Sequence, residues 1–118
     1  MATKTLISEA EYLSAGFPDP TPEYVCGELI ERAMPNSRHS YTQGELYYRF
    51  RQQQERLRLY ARTELRVLVA PGHYRIGDLF VYAGTGPTEL VPREVPLVAV
   101  EIVSPDDRYE DLMTKLAE

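Results

Sequence analysis

A mixed α/β (α+β) fold, in which a β-sheet is flanked by helices, is predicted by three features of this sequence. Residues 57–84, LRLYARTELRVLVAPGHYRIGDLFVYAG, alternate long or β-branched residues with charged ones and break at Pro71-Gly72, the signature of antiparallel strands joined by a turn. Residues 97–103, LVAVEIV, are apolar on both alternating faces but for one carboxylate, the pattern of a central strand covered by helices on at least one side. Two segments, opening near Ser8 and near Ser37, begin on capping residues and continue at helical spacing. A length of 118 residues suits one domain, 1–118, able to bury roughly two thirds of the surface its unfolded chain exposes.

Taken in order, Ser8-Glu9-Ala10-Glu11 matches the S-x-x-E capping box, in which each of the two end side chains satisfies the other's backbone N–H. It predicts a helix over 9–15 that stops at Gly16. FPDPTP, at 17–22, has three prolines and cannot be regular. EYVCGELIERAM then reads as a hairpin pivoting at Gly27. After the stop at Pro35 and the cap at Asn36-Ser37, Leu46, Tyr47, Phe50 and Leu57 form the stripe of what should be the longest helix, running to about Glu55. Beyond the two alternating strands and the strand at 97–103, Asp106 or Asp107 should cap a last helix with the stripe Tyr109, Leu112, Met113 and Leu116. That helix meets Glu118 with no Gly, Asn or Pro to finish it, so the chain reads as interrupted there.

Composition removes several functional classes. A content of 43% hydrophobic and 26% charged residues is that of an ordinary globular protein, neither disordered nor fibrous. There is no signal-peptide core and no apolar run near the ~20 residues a membrane span requires, so a cytoplasmic protein without a membrane partner is expected. The one cysteine, Cys26, has no zinc-ligand spacing around it and reads as packing at a strand edge. No dinucleotide, P-loop or Ser-His-Asp pattern is present. Net charge is −5, yet residues 38–75 hold eight arginines against three glutamates. The commonplace reading of that run is a solvated face; it also permits a basic surface on an acidic protein.

Two carboxylates stand out. Glu101 lies between Val100 and Ile102, and Asp78 between Gly77 and Leu79, each in an otherwise apolar strand. Burying an ionised carboxylate costs several kcal/mol unless a cation, a metal or hydrogen bonds compensate. If the two strands bring these acids together, each raises the other's proton affinity until a divalent cation arrives. Hard oxygen donors favour Mg²⁺ or Mn²⁺ over zinc, and such ions serve phosphodiester hydrolysis by acidifying water and neutralising charge on phosphate. Lys115, one of only two lysines, follows on the last helix and could steady the attacking water. The alternative stays open at this point: Asp78 capping a turn or bonded to Arg75, Glu101 paired with one of the many arginines, and Lys115 simply solvated near a helix end.

The segments GELIERAMPNSRH, YRIGDLFV and VAVEIVSPDDRYEDLMTK resemble the Uma-type restriction-endonuclease-like family, a branch of the PD-(D/E)XK nuclease superfamily, over about residues 11–118. The resemblance implies a restriction-endonuclease-like mixed sheet flanked by helices, Mg²⁺ dependence and DNA as substrate. On it Asp78 and Glu101 match the two metal-binding acids, although Gly77 stands where the family usually has proline. The superfamily lysine would fall on Val103, and Lys115 fills the place to which this branch moves it. The backbone carbonyl of Ile102 is implied as a further ligand. Glu28 is implied as a third carboxylate, and His39 as a phosphate contact or a helix-start residue. Members continue past the last helix into further strands. Their absence would leave an open sheet edge or one filled by a second chain, hence an expected homodimer. Three functions follow: a Mg²⁺-dependent endonuclease with catalytic Asp78, Glu101 and Lys115, a catalytically inactive remnant serving as a dimerising interaction module, and a phosphodiesterase for a smaller substrate.

Overall fold

The structure is a computed structural model that describes residues 6–103 and 109–117. Its elements are α1 (Glu9–Ser14), β1 (Glu23–Val25), β2 (Glu28–Ile30), α2 (Ser37–Gln52), α3 (Gln54–Leu57), β3 (Leu59–Ala70), β4 (His73–Ala83), β5 (Val98–Val100) and α4 (Tyr109–Leu116). The strands form one sheet in the order β2-β1-β4-β3, with β5 paired to β4. Every pairing among the described residues is antiparallel.

The capping box at Ser8 forms as its sequence requires: Glu11 N donates to Ser8 Oγ at 3.1 Å and Ser8 N to Glu11 Oε1 at 3.2 Å. The helix it starts is pinned by Tyr12, fully buried against Tyr24 and Tyr74. The Tyr12 hydroxyl donates to Pro22 O at 2.7 Å, and Arg66 lies over its ring at 5.1 Å. The hairpin β1–β2 turns at Cys26 (φ 47°) and Gly27 (φ 94°), two left-handed residues of the kind a two-residue hairpin demands. Cys26 is therefore not packing material, as its sequence setting suggests. It is exposed at the turn, where its Sγ meets His73 Nε2 at 3.5 Å, because a turn tip has no interior to fill.

The helix foreseen through Glu55 is instead broken at Gln53, whose N–H bonds to Phe50 O at 3.1 Å. The tightened turn hands over to the short α3 and to Arg58 at φ 52°. Leu46 and Phe50 of α2 lie against Ala61, Leu79 and Val81 on one face of the sheet, while Phe80 and Tyr82, alternating with them, pack with Val67 on the other.

The strand at 97–103 departs from expectation. Only Val98–Val100 is strand, it pairs with β4 alone among the described residues, and Leu97, Val98 and Val103 are 65%, 40% and 65% exposed. The central strand is β4, buried from Tyr74 to Tyr82. Both runs are apolar, and only β4 is long enough to be flanked on both sides, by β3 and by β1 with β5. In α4 the inward residues are Leu112 and Lys115, whereas Met113 and Leu116 are 39% and 50% exposed. The caps foreseen at Asp106 or Asp107 lie outside the described residues.

Candidate active site

The pairing of β4 with β5 brings the two singled-out acids together. Val81 faces Val98, Phe80 faces Ala99 and Leu79 faces Val100; just past the end of β5, Ile102 N donates to Asp78 Oδ2 at 2.6 Å, which sets Glu101 beside Asp78. Both acids line one cavity of about 270 Å³, together with Glu23, Arg32, His39, Arg75 and Lys115.

Asp78 is 5% exposed. Its Oδ2 accepts from Ile102 N at 2.6 Å, and its Oδ1 lies 3.0 Å from His39 Nε2 and 3.9 Å from Arg32. Ile102, whose carbonyl the family resemblance implied as a ligand, thus lies directly beside Asp78. Gln43 braces the same residue from α2 through Asp78 O at 2.7 Å, and also reaches Glu64 Oε1 at 2.8 Å. His39 is both helix-start and site residue: Asn36 Oδ1 accepts from its backbone N–H at 2.9 Å while the ring turns inward. Its Nδ1 is buried with no hydrogen-bond partner among the described residues.

Glu101 Oε1 accepts from Lys115 Nζ at 2.8 Å. Burial pushes its carboxyl up to about 7, Lys115 opposes that rise, and the nearby Asp78 and Glu23 carboxylates add to it. Lys115 also donates to Ile76 O at 2.9 Å and pairs with Glu23 Oε2 at 2.9 Å. The cation on Glu101 is the lysine, Asp78 has His39 at 3.0 Å and Arg32 at 3.9 Å, and Arg75 lies 3.6 Å from Glu23.

Glu28 is not brought to this cavity. It opens β2 beside the turn and faces Val25, whereas the cavity lies at the other end of the hairpin, where Glu23 faces Ile30. The third carboxylate at the site is Glu23, 4% exposed. Its three-residue strand is too short for periodicity to mark it. The available signal was the one that marked Asp78 and Glu101, a charge flanked by Pro22 and Tyr24 at the start of an apolar stretch. Arg32, 2.6 Å from Glu64 and 14% exposed, was likewise unmarked.

A helix-flanked antiparallel sheet brings two acids together, one on its central strand and one just past the neighbouring strand, with a lysine from the next helix between carboxylates, in keeping with the nuclease-like fold that the sequence resemblance implies. In agreement, the structure is similar to that of a protein described as a "putative nuclease belonging to DUF820" from Anabaena variabilis, with a TM-score of 0.81 and 23% identity over 94% of this chain and 66% of that one. The chain thus spans less than two thirds of that protein's length, and the likeness is one of fold. The family model of Uma2, described as "Putative restriction endonuclease", matches residues 10–118, and the chain belongs to this family. No curated protein matches it.

Proposed function

We propose that this chain is a Mg²⁺- or Mn²⁺-dependent endonuclease domain hydrolysing DNA phosphodiester bonds, in which Asp78 and Glu101 hold the metal and Lys115 orients the attacking water. The observation that carries this reading is the convergence of the two acids, through the β4–β5 register, on one cavity with Lys115 2.8 Å from Glu101.

The donor set fits a hard cation. Two carboxylates in one cavity, one of them with its proton affinity raised by burial and by neighbouring acids, are held apart in charge only by protonation or by a cation. No cluster of three or more His, Cys, Asp or Glu among the described residues is arranged to hold a metal. Water and substrate oxygens would therefore complete the shell, as is usual for Mg²⁺. Bound there, the ion would supply acidified water and charge neutralisation at phosphorus. The chain's own part is to fix Asp78 through Ile102 N and His39, to present Glu101 from the end of β5, and to hold the Lys115 ammonium where a water attacking phosphorus is oriented. The exposed arginines Arg38, Arg49, Arg51, Arg56 and Arg58, on and just after α2 and α3, suit the DNA backbone.

Thermal unfolding with and without Mg²⁺ or Mn²⁺ tests the site. Ion at 100 times its dissociation constant stabilises the folded state by about 2.7 kcal/mol, and Asp78→Ala or Glu101→Ala is expected to abolish that gain together with cleavage of DNA. Retained metal stabilisation in both variants would reject the reading. Among the described residues no helix is long and apolar enough to cross a membrane.

A second reading has its own support, the exposed apolar residues Leu97, Val98 and Val103 on and flanking β5, a strand paired on one side among the described residues. In it the chain is a non-catalytic interaction module that forms a homodimer through β5. Mg²⁺-dependent DNA cleavage by the chain would exclude it.

A further inference from the structure

Lys115 is contacted by two carboxylates, and they are not equivalent. Glu23 is fixed from three directions: its Oε2 accepts from Ile76 N at 2.7 Å and pairs with Lys115 at 2.9 Å, and its Oε1 lies 3.6 Å from Arg75. Ile76 in turn accepts from Lys115 through its carbonyl at 2.9 Å. Carboxylate, ammonium and the Ile76 peptide groups thus close a ring anchored in the middle of β4, and the Glu23 side chain is 5% exposed. Glu101, at the end of a three-residue strand and with its side chain 14% exposed, meets Lys115 at 2.8 Å through one oxygen.

We propose that Glu23 is the positioning residue that anchors Lys115, and that Glu101 is its exchangeable partner, so the ammonium keeps its place when Glu101 turns to a cation. The second half rests on the reading above that Glu101 binds metal; the anchoring does not. A buried lysine held by one acid alone would be stranded when that acid took a cation, at the cost of an uncompensated charge. A second carboxylate, tied down by a backbone N–H, removes that conflict and lets one lysine serve the site both with and without metal.

The chain makes the test direct, because its only other lysine is Lys4. Acylation of amines with acetic anhydride, read by mass spectrometry as the Lys115:Lys4 ratio and normalised to the urea-unfolded chain, reports how firmly Lys115 is held. Glu23→Gln is expected to raise the ratio about tenfold, the effect on an amine of losing an opposite charge at hydrogen-bond distance. Glu101→Gln is expected to raise it less than about twofold, because Glu23 and the Ile76 carbonyl continue to hold the ammonium. Val67→Ala, which loosens the core elsewhere, is expected to lower the melting temperature without moving the ratio. In the wild-type chain Mg²⁺ is expected to leave Lys115 protected.

An unchanged ratio in Glu23→Gln, or a tenfold rise in Glu101→Gln, overturns the proposal. Should Glu23→Gln fail to fold, the Glu101→Gln measurement decides alone, since the anchor is intact in that variant. Failure of the metal reading shows separately, as absent Mg²⁺ stabilisation with the labelling pattern unchanged.

Discussion

At the scale of single residues, Gly77 and Glu101 carry constraints that their neighbours do not share. A Cβ on Gly77 would lie 2.4 to 2.9 Å from three carbons of the Phe80 ring, and that ring is 3% exposed with nowhere to go. Gly77→Ala is therefore expected to destabilise the fold by about 1–3 kcal/mol, the usual effect of overpacking, measured by urea unfolding. This glycine, noted in the sequence as a departure from proline, is explained by a neighbour three residues on. Glu101 predicts a pH dependence. With its folded value at about 7, above the ordinary 4.5, the unfolded chain loses this proton first as pH rises. Stability from this group is thus full below pH 4.5 and falls between 4.5 and 7, by up to about 3 kcal/mol. Urea midpoints across that range in metal-free buffer are expected to show the fall, and Glu101→Gln to flatten it. That Asp78 and Glu101 needed explaining was legible from a charge among aliphatic neighbours; Glu23 carried only the weaker form of that signal, a charge at the start of an apolar stretch, because three strand residues give no period to read.

At the scale of elements, the β4–β5 register is what converts two separate oddities into a site. The sequence announced both strands, since each is a clear apolar run between turn residues. It could not rank them: LVAVEIV is the more uniformly apolar, yet β4 is the buried one, because burial follows the number of flanking strands and not the hydrophobicity of a run. The ranking predicts unequal costs. Leu79→Ala, at a fully buried position, is expected to lose about 2–5 kcal/mol, and Val98→Ala, at 40% exposure, less than about 1 kcal/mol, both by urea unfolding. The break at Gln53 was equally hidden, since apolar spacing continues to Leu57 and only the backbone geometry marks the interruption.

At the scale of the whole molecule, charge is divided. The net −5 disfavours polyanions, while the arginines of α2 and α3 favour them locally. If those arginines meet phosphate, DNA affinity falls with salt, and each of Arg49→Ala and Arg51→Ala is expected to lower the slope of log K against log salt by about 0.9, checked by titration at several ionic strengths. Unchanged slopes in both would move the DNA to another face.

The anchoring of Tyr12 reaches further than its own helix. By gripping Pro22, the residue directly before Glu23, and by stacking on Tyr24, directly after it, the opening segment sets the stance of the strand that steadies the lysine. A version trimmed to begin beyond Phe17 would keep every acid and base of the cavity in its sequence. It would nonetheless forfeit the brace that aims one of them, so such trimming should blunt the site long before it unravels the sheet.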